Sequence, residues 1–329
     1  MFYYILRRIL LVIPTLIAIT VVTFIVIQLP AGDYLTTYIA QLQAQGTQLD
    51  ETEIVALRQR YGLDQPIYVQ FFRWVSGIVL RGDYGRSFRW NRPVSDLLGE
   101  RMLLTVTISL STLLFTWAVA LPVGVYSATH QYSFFDYLFT FLGFIGRGIP
   151  SFMIALILMW ISISRFGVSA GGLFSADFRD AAWSWARVVD LLKHLWVPMV
   201  VLGIGGTAGL IRTMRANMLD ELSKPYVETA RAKGLPEARV LWRYPVRVAL
   251  NPFVSTVGWA LPALISGGTI VSVVLSLPTA GPLLLDALLA QDMYLAGAFL
   301  LLLSVLTVIG TLLSDILLAV LDPRIKLGA

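Results

Sequence analysis

The chain has 329 residues, 57% hydrophobic and 14% charged, with a mean hydropathy of +0.74. Soluble domains carry about 25% charge, so a soluble core is excluded and an all-α, polytopic membrane protein is indicated. The absence of cysteine removes a disulfide framework or thiolate metal site, and the unevenly placed net charge of +5 argues for membrane sidedness over a nucleic-acid surface.

Residues 1–29 read as a basic lead-in, MFYYILRR, and a first membrane helix over Ile9–Leu29. At 1.5 Å per residue this run covers roughly 30 Å, one hydrocarbon thickness. It exceeds the apolar core of about 7–15 residues in a cleaved signal peptide, so an uncleaved span with Arg7 and Arg8 inside is expected. Residues 30–101 turn polar and are expected to form an extracytoplasmic loop with short helices. Loops longer than about 60 residues largely escape the positive-inside rule. Asp50 and Glu53 resemble a capping box, Gly62 a helix stop, and a second helix starts near Pro66. That helix carries Tyr68, Phe71, Phe72 and Trp74, an aromatic stripe expected to pack on the membrane rim or the bundle.

Residues 102–329 are expected to form the core permeation domain. Further spans are predicted over Leu103–Ala128, Tyr137–Ser164, Leu195–Arg212, Pro252–Leu277 and Leu295–Leu321, making six with the first. Both termini then face the cytoplasm, as does the interval 213–251, and the external stretch Leu277–Tyr294 contains neither Lys nor Arg. Asp286 and Asp292 in that stretch read as solvated, and His194 as opening a span. Gly146, Arg147, Gly148, Ile149 and Pro150 predict a broken or kinked helix. An ionisable residue at that depth is a functional candidate. Arg147 either faces a pathway and meets an anionic or polar cargo group, or it pairs with an acid or backbone carbonyls, or snorkels.

The polar interval 224–252 carries Lys224, Arg231, Lys233, Arg239, Arg243 and Arg247 against Glu228 and Glu237. Its pattern predicts a small-residue helix, a sharp turn at Gly234-Leu235-Pro236, and a second helix from Glu237. Such a plan suits a docking element for a cytoplasmic partner. No phosphate loop, H-E-x-x-H or Cys/His cluster is present. No nucleophile–base–orienter set can be assembled, so neither catalytic residues nor a metal site are expected, and any ATP is bound elsewhere.

Glu228-Thr229-Ala230-Arg231-Ala232-Lys233-Gly234 is similar to the E-A-A-x-x-x-G signature of membrane subunits of bacterial ATP-binding-cassette importers. Nearly the whole chain resembles the first permease of oligopeptide/dipeptide-type importers. The likeness runs through YYILRRILLVIPTL, Tyr61–Pro66, Gly82–Ser87, Ile149-Pro150-Ser151-Phe152, Tyr226–Leu235 and Leu321–Ile325. The resemblance implies an inner-membrane subunit paired with a homologous permease, two ATPases that bind ATP and Mg, and an external solute-binding protein. It implies no cofactor in this chain. It places Tyr226, Val227, Glu228, Ala230, Arg231 and Ala232 against an ATPase cleft, with Gly234 and Leu235 at the turn. Glu228 would pair with a basic group there, or else bridge to Arg231 or Arg239 within the loop. Pathway candidates are Arg147, Pro150, Ser151, Ser272 and Pro278. Thr229 replaces the usual Ala, Ser272 stands where an acid is common, Thr279-Ala280-Gly281 replaces Gly-x-Gly, and Arg147 an uncharged residue. Short peptides are the implied cargo, with oligosaccharides or, less readily, a nickel complex as alternatives. A stand-alone ion-coupled transporter would need buried ionisable relays that the spans lack.

Overall fold

The computed structural model describes residues 2–28, 39, 51–61, 64–166, 171–179, 181–257, 263 and 268–321, and these are almost entirely helical. In chain order the helices are α1 (Phe2–Gln28), α2 (Glu51–Tyr61), α3 (Ile67–Arg81), α4 (Val94–Thr129), α5 (Phe134–Gly148), α6 (Ser151–Phe166) and α7 (Trp185–Leu222). They continue with α8 (Pro225–Ala232), α9 (Glu237–Arg243), α10 (Pro245–Ala249), α11 (Thr269–Val274), α12 (Ala280–Leu289) and α13 (Met293–Leu321). Residues 251–257 are also helical.

Among the described residues three helices are long and apolar enough to cross a bilayer: Val94–Thr129, Trp185–Leu222 and Met293–Leu318. A fourth is reached if α5 and α6 count as one broken span, since they meet at 101°. Leu10–Ile25 of α1 is a shorter apolar helix. The expected span Pro252–Leu277 contains residues 258–262 and 264–267, which lie outside the described residues, as do Asp50, Gly62 and the tail 322–329.

Several expected boundaries move. The run Tyr137–Ser164 is two helices, because Ile149 is extended (ψ 127) and Pro150 has no N–H to continue the ladder. Pro150 instead offers its carbonyl to the N–H groups of Met153 and Ile154, 2.9 and 3.3 Å away, starting α6. The span expected at Leu195–Arg212 belongs to a longer helix that begins at Trp185, so His194 lies inside α7 instead of opening it. Ser184 caps that start by accepting the Arg187 N–H. The buried Arg187 guanidinium donates to the carbonyls of Ala181 (2.6 Å) and Arg179 (3.1 Å) and stacks on Phe174 and Trp183. Asp190 accepts from the backbone and hydroxyl of Ser175. With these partners polar residues extend the helix beyond its apolar stretch.

The chain forms two compact units. One comprises Met1–Ile9, Thr105–Pro278 and Thr307–Ala329. In it α5 and α6 both pack on α7, and α11 packs on α6 and α7. Its core joins Ala120 and Ala128 of α4, Met214 and Met218 of α7, Val246 and Ala249 of α10, and Phe253. The other unit comprises Leu10–Leu104 and Thr279–Leu306. There Phe24 of α1, Trp74 of α3, Phe88 and Met293 form a buried cluster with Phe71, Val75, Ile78 and Tyr294 around it. The aromatic stripe of α3 is therefore split: Trp74 and Phe71 pack inward, whereas Tyr68 and Phe72 are exposed.

Candidate functional site

Two features of the first unit are candidates for a functional role. One is the basic hairpin after α7. Lys224 is extended and Pro225 opens α8 with its φ already set and no donor to waste. The helix stops where Gly234 takes φ +73°, a conformation costly for residues with a Cβ, and its N–H closes on the Arg231 carbonyl at 2.9 Å. Pro236 then leads into α9. Across the turn the Arg231 guanidinium grips the Glu237 carboxylate, with Nη2–Oε1 at 2.6 Å and Nε–Oε2 at 3.2 Å. This two-pronged hydrogen bond holds Glu237 below its ordinary carboxylate range and raises Arg231.

The residues assigned to partner docking divide by burial. Val227 and Ala230 pack with Val240 in the hairpin's own core, and Leu235 is half-buried against them. Tyr226, Glu228, Arg231, Ala232 and Gly234 are exposed. The Tyr226 hydroxyl donates to Glu221, and burial, then that carboxylate, raises the phenol's pKa. Since Arg231 is engaged with Glu237, Glu228 stays outside the clasp on the open face. The small residue on that face is Ala232, whereas Ala230 faces inward.

The second feature is a cavity of about 990 Å³. Arg147 enters from the last turn of α5, Thr112 and Thr116 from α4, Gly205, Gly206, Gly209 and Arg212 from α7, and Asn251 and Ser255 from the segment after α10. At Gly205 a Cβ would meet nothing within 4 Å, and at Gly209 it would lie 3.8 Å from the Arg147 guanidinium. The missing side chains thus open a groove along α7. Among the described residues no carboxylate lines it and neither arginine is ion-paired. Arg212 stacks over Phe144 at 4.9 Å. Thr112 is 1% exposed, and among the described residues neither its hydroxyl nor the Asn251 Oδ1 has a hydrogen-bond partner. The lining therefore offers two cations, set among polar residues, to a polar, anionic guest.

Of the pathway candidates, Arg147 lines this cavity. Pro150 and Ser151 form the α5–α6 break, and Ser272 is buried in α11, where its carbonyl accepts the Leu277 N–H at 2.8 Å. Pro278 is half-buried beyond it, and none of these four is in the lining. The hairpin is joined to the cavity through shared elements: Met214 and Met218 of α7 pack against Val246 and Phe253, on either side of cavity-lining Asn251. Arg215, one turn beyond Arg212, forms a double hydrogen bond to the buried Asp136 at 2.9 and 3.0 Å, tying α7 to the start of α5.

Sequence reasoning missed Arg212, Thr112 and Asn251. It also placed Asp292 in solvent, whereas that carboxylate is 0% exposed. It accepts from the Ser87 hydroxyl and from the N–H groups of Arg89 and Leu295, and Arg89 pairs with Asp286 at 3.0 Å. An acid three residues before Leu295, at the head of an apolar run, is an N-cap signal legible in the sequence.

A family model described as "Binding-protein-dependent transport system inner membrane component" matches residues 120–327, and its N-terminal companion matches 1–111. The chain is 36% identical over 325 residues to the oligopeptide transport system permease protein AppB of Bacillus subtilis, covering 98% of this chain and 99% of that one. It is 29% identical to the dipeptide transport system permease protein DppB of Alkalihalophilus pseudofirmus, covering 99% and 100%. It is 32% identical to the glutathione transport system permease protein GsiC of Salmonella typhimurium, covering 99% of each.

Proposed function

The chain belongs to the family of inner-membrane components of binding-protein-dependent transport systems, and on that premise we propose that it is the translocation subunit of an ATP-driven importer of short peptides. It crosses the membrane six times with both termini in the cytoplasm. It pairs with a homologous permease, receives cargo from an external binding protein, and hydrolyses no ATP itself. Two ATP-binding-cassette subunits dock on the 224–252 hairpin through Tyr226, Glu228, Arg231 and Ala232. Val227, Ala230 and Leu235 hold that helix in shape, and Gly234 permits the turn. ATP-driven closure of the ATPases becomes rigid rocking of α7 and alternating access to the cavity.

One observation carries this reading: the hairpin is stiffened by its Arg231–Glu237 clasp and shares a core with the helix that lines the cavity. A push on α8 is then passed to Arg212 and Asn251 through that shared core. Peptide cargo is supported by the names of the relatives, and by a lining that presents Arg147 and Arg212 to a terminal carboxylate. Pro150 and Ser151 act as the bend beside this path, and Ser272 and Pro278 lie at its outer gate. The test is uptake by the complete complex reconstituted in vesicles, comparing wild type with Glu228→Arg and Gly234→Val. Uptake and cargo-stimulated ATPase activity fall on the order of tenfold or more, while the variants still assemble in the membrane. Normal uptake by both variants overturns the docking role.

A further inference from the structure

The second unit contains a cleft of about 280 Å³. It lies between α3 and the loop 83–93, which is closed by the Arg86–Pro93 backbone bridge. Arg73, Arg81 and Arg86 line it, and among the described residues Asp83 is the single carboxylate in its lining. One Asp83 oxygen already accepts the Gly85 N–H at 2.8 Å. Among the described residues neither Arg73 nor Arg81 is ion-paired. Trp74, 4% exposed, is also in the lining, and its indole Nε1 has no hydrogen-bond partner among the described residues. Arg86 already donates to the Asn91 carbonyl at 3.1 Å, but the excess of guanidiniums over carboxylates in the lining asks for a guest carrying negative charge.

Position decides what that acceptor is. The cleft adjoins the last turns of the apolar α1, through Phe24 against Trp74, and the first turn of the membrane-crossing α13, through Tyr294. It therefore sits where two apolar helices end, at the depth of the headgroups. The outer flank of α3 bears Tyr68, Phe72, Val79 and Leu80, between 65% and 79% exposed. A helix with apolar residues on its free face and arginines beside them lies in the membrane interface. Gly85 is held at φ +84° with the Tyr294 ring against it, where a Cβ would stand 2.6 Å from the ring, so loop and span are fixed together.

The geometry points to this cleft as a binding site for the phosphodiester headgroup of an anionic phospholipid, held by Arg73 and Arg81 beside the Trp74 indole. An excess of cationic over anionic side chains favours a headgroup with net negative charge over a zwitterionic one. The assignment stands apart from cargo and coupling.

The test is native mass spectrometry of the complete complex in detergent, titrated separately with phosphatidylglycerol, phosphatidylcholine and inorganic phosphate. Wild type is expected to retain a phosphatidylglycerol that Arg73→Gln/Arg81→Gln binds about tenfold more weakly. Trp74→Phe, which keeps the ring and deletes the donor, weakens it to a lesser degree, and Arg73→Lys/Arg81→Lys restores part of the loss. Phosphatidylcholine binding is the same in all variants. Equal retention of phosphatidylglycerol by wild type and the double Gln variant overturns the site. Arginine-dependent binding of inorganic phosphate that phosphatidylglycerol does not displace makes it a free-anion site and overturns the lipid assignment.

Discussion

At Asp292 a single carboxylate collects three donors, from Ser87, Arg89 and Leu295, with no exposure to solvent. Replacing it by Ala uncaps α13 and strands two buried donors, so Asp292→Ala is expected to cost about 2–4 kcal/mol. Thermal unfolding in detergent measures it, and Asp292→Asn, which keeps one acceptor, recovers part of the loss. Glycines on the cavity helix and its neighbour make the opposite comparison. At Gly124 a Cβ would stand 2.5 Å from the Met214 Cβ, so Gly124→Ala forces α4 and α7 apart at about 1–3 kcal/mol. At Gly205 nothing lies within 4 Å, so Gly205→Leu is tolerated and gains helix propensity of about 0.5–1 kcal/mol. It fills the groove, however, and is expected to abolish uptake in a complex that melts no earlier than wild type. A variant that transports normally removes the cavity from the pathway.

The hairpin α8–α9 works as an element because its turn is pinned from both sides. Glu237 titrates lower in the folded protein than its ordinary value of 4.5, owing to Arg231. Its contribution is therefore complete above pH 4.5 and disappears as pH falls through the lowered value. Both side chains are about half exposed, 43% and 55%, so the pair contributes only about 0–1 kcal/mol to stability. Glu237→Gln is accordingly expected to leave the melting temperature almost unchanged at pH 7, and any difference from wild type fades as pH falls through the lowered value. On the proposed docking role its effect should instead appear in uptake, since an unclasped Arg231 becomes free to capture Glu228 and alter the exposed face of α8. Wild-type uptake by Glu237→Gln would show that the clasp has no part in presenting that face. This hairpin was legible in the sequence because its Gly234 and Pro236 act locally, within a turn. The α5–α6 break was legible for the same reason at Pro150, although its 101° angle was not.

What depends on the tertiary arrangement of the whole molecule was hidden. The cavity gathers Thr112, Arg147, Arg212 and Asn251 from four separate stretches, and no period or spacing links them. Asp292 seemed solvated because its partner Ser87 is 205 residues away. The full α7 was underestimated because the hydropathy of its ends is low, while Ser184, Asp190 and Arg215 supply partners that keep those ends helical. These long-range associations determine the selectivity prediction. If Arg147 and Arg212 receive the cargo's carboxylate, the complete importer should carry a free-acid peptide about tenfold better than the same peptide amidated at its C-terminus. The external binding protein contributes its own preference, so its affinity for each peptide is measured separately and divided out. In Arg147→Gln/Arg212→Gln the remaining ratio should collapse towards unity, with uptake of the amide largely preserved. A ratio that survives the double substitution places carboxylate recognition outside this cavity. A wild-type complex that shows no preference after correction removes the carboxylate from the mechanism, leaving the two guanidiniums to serve polar cargo through its backbone carbonyls.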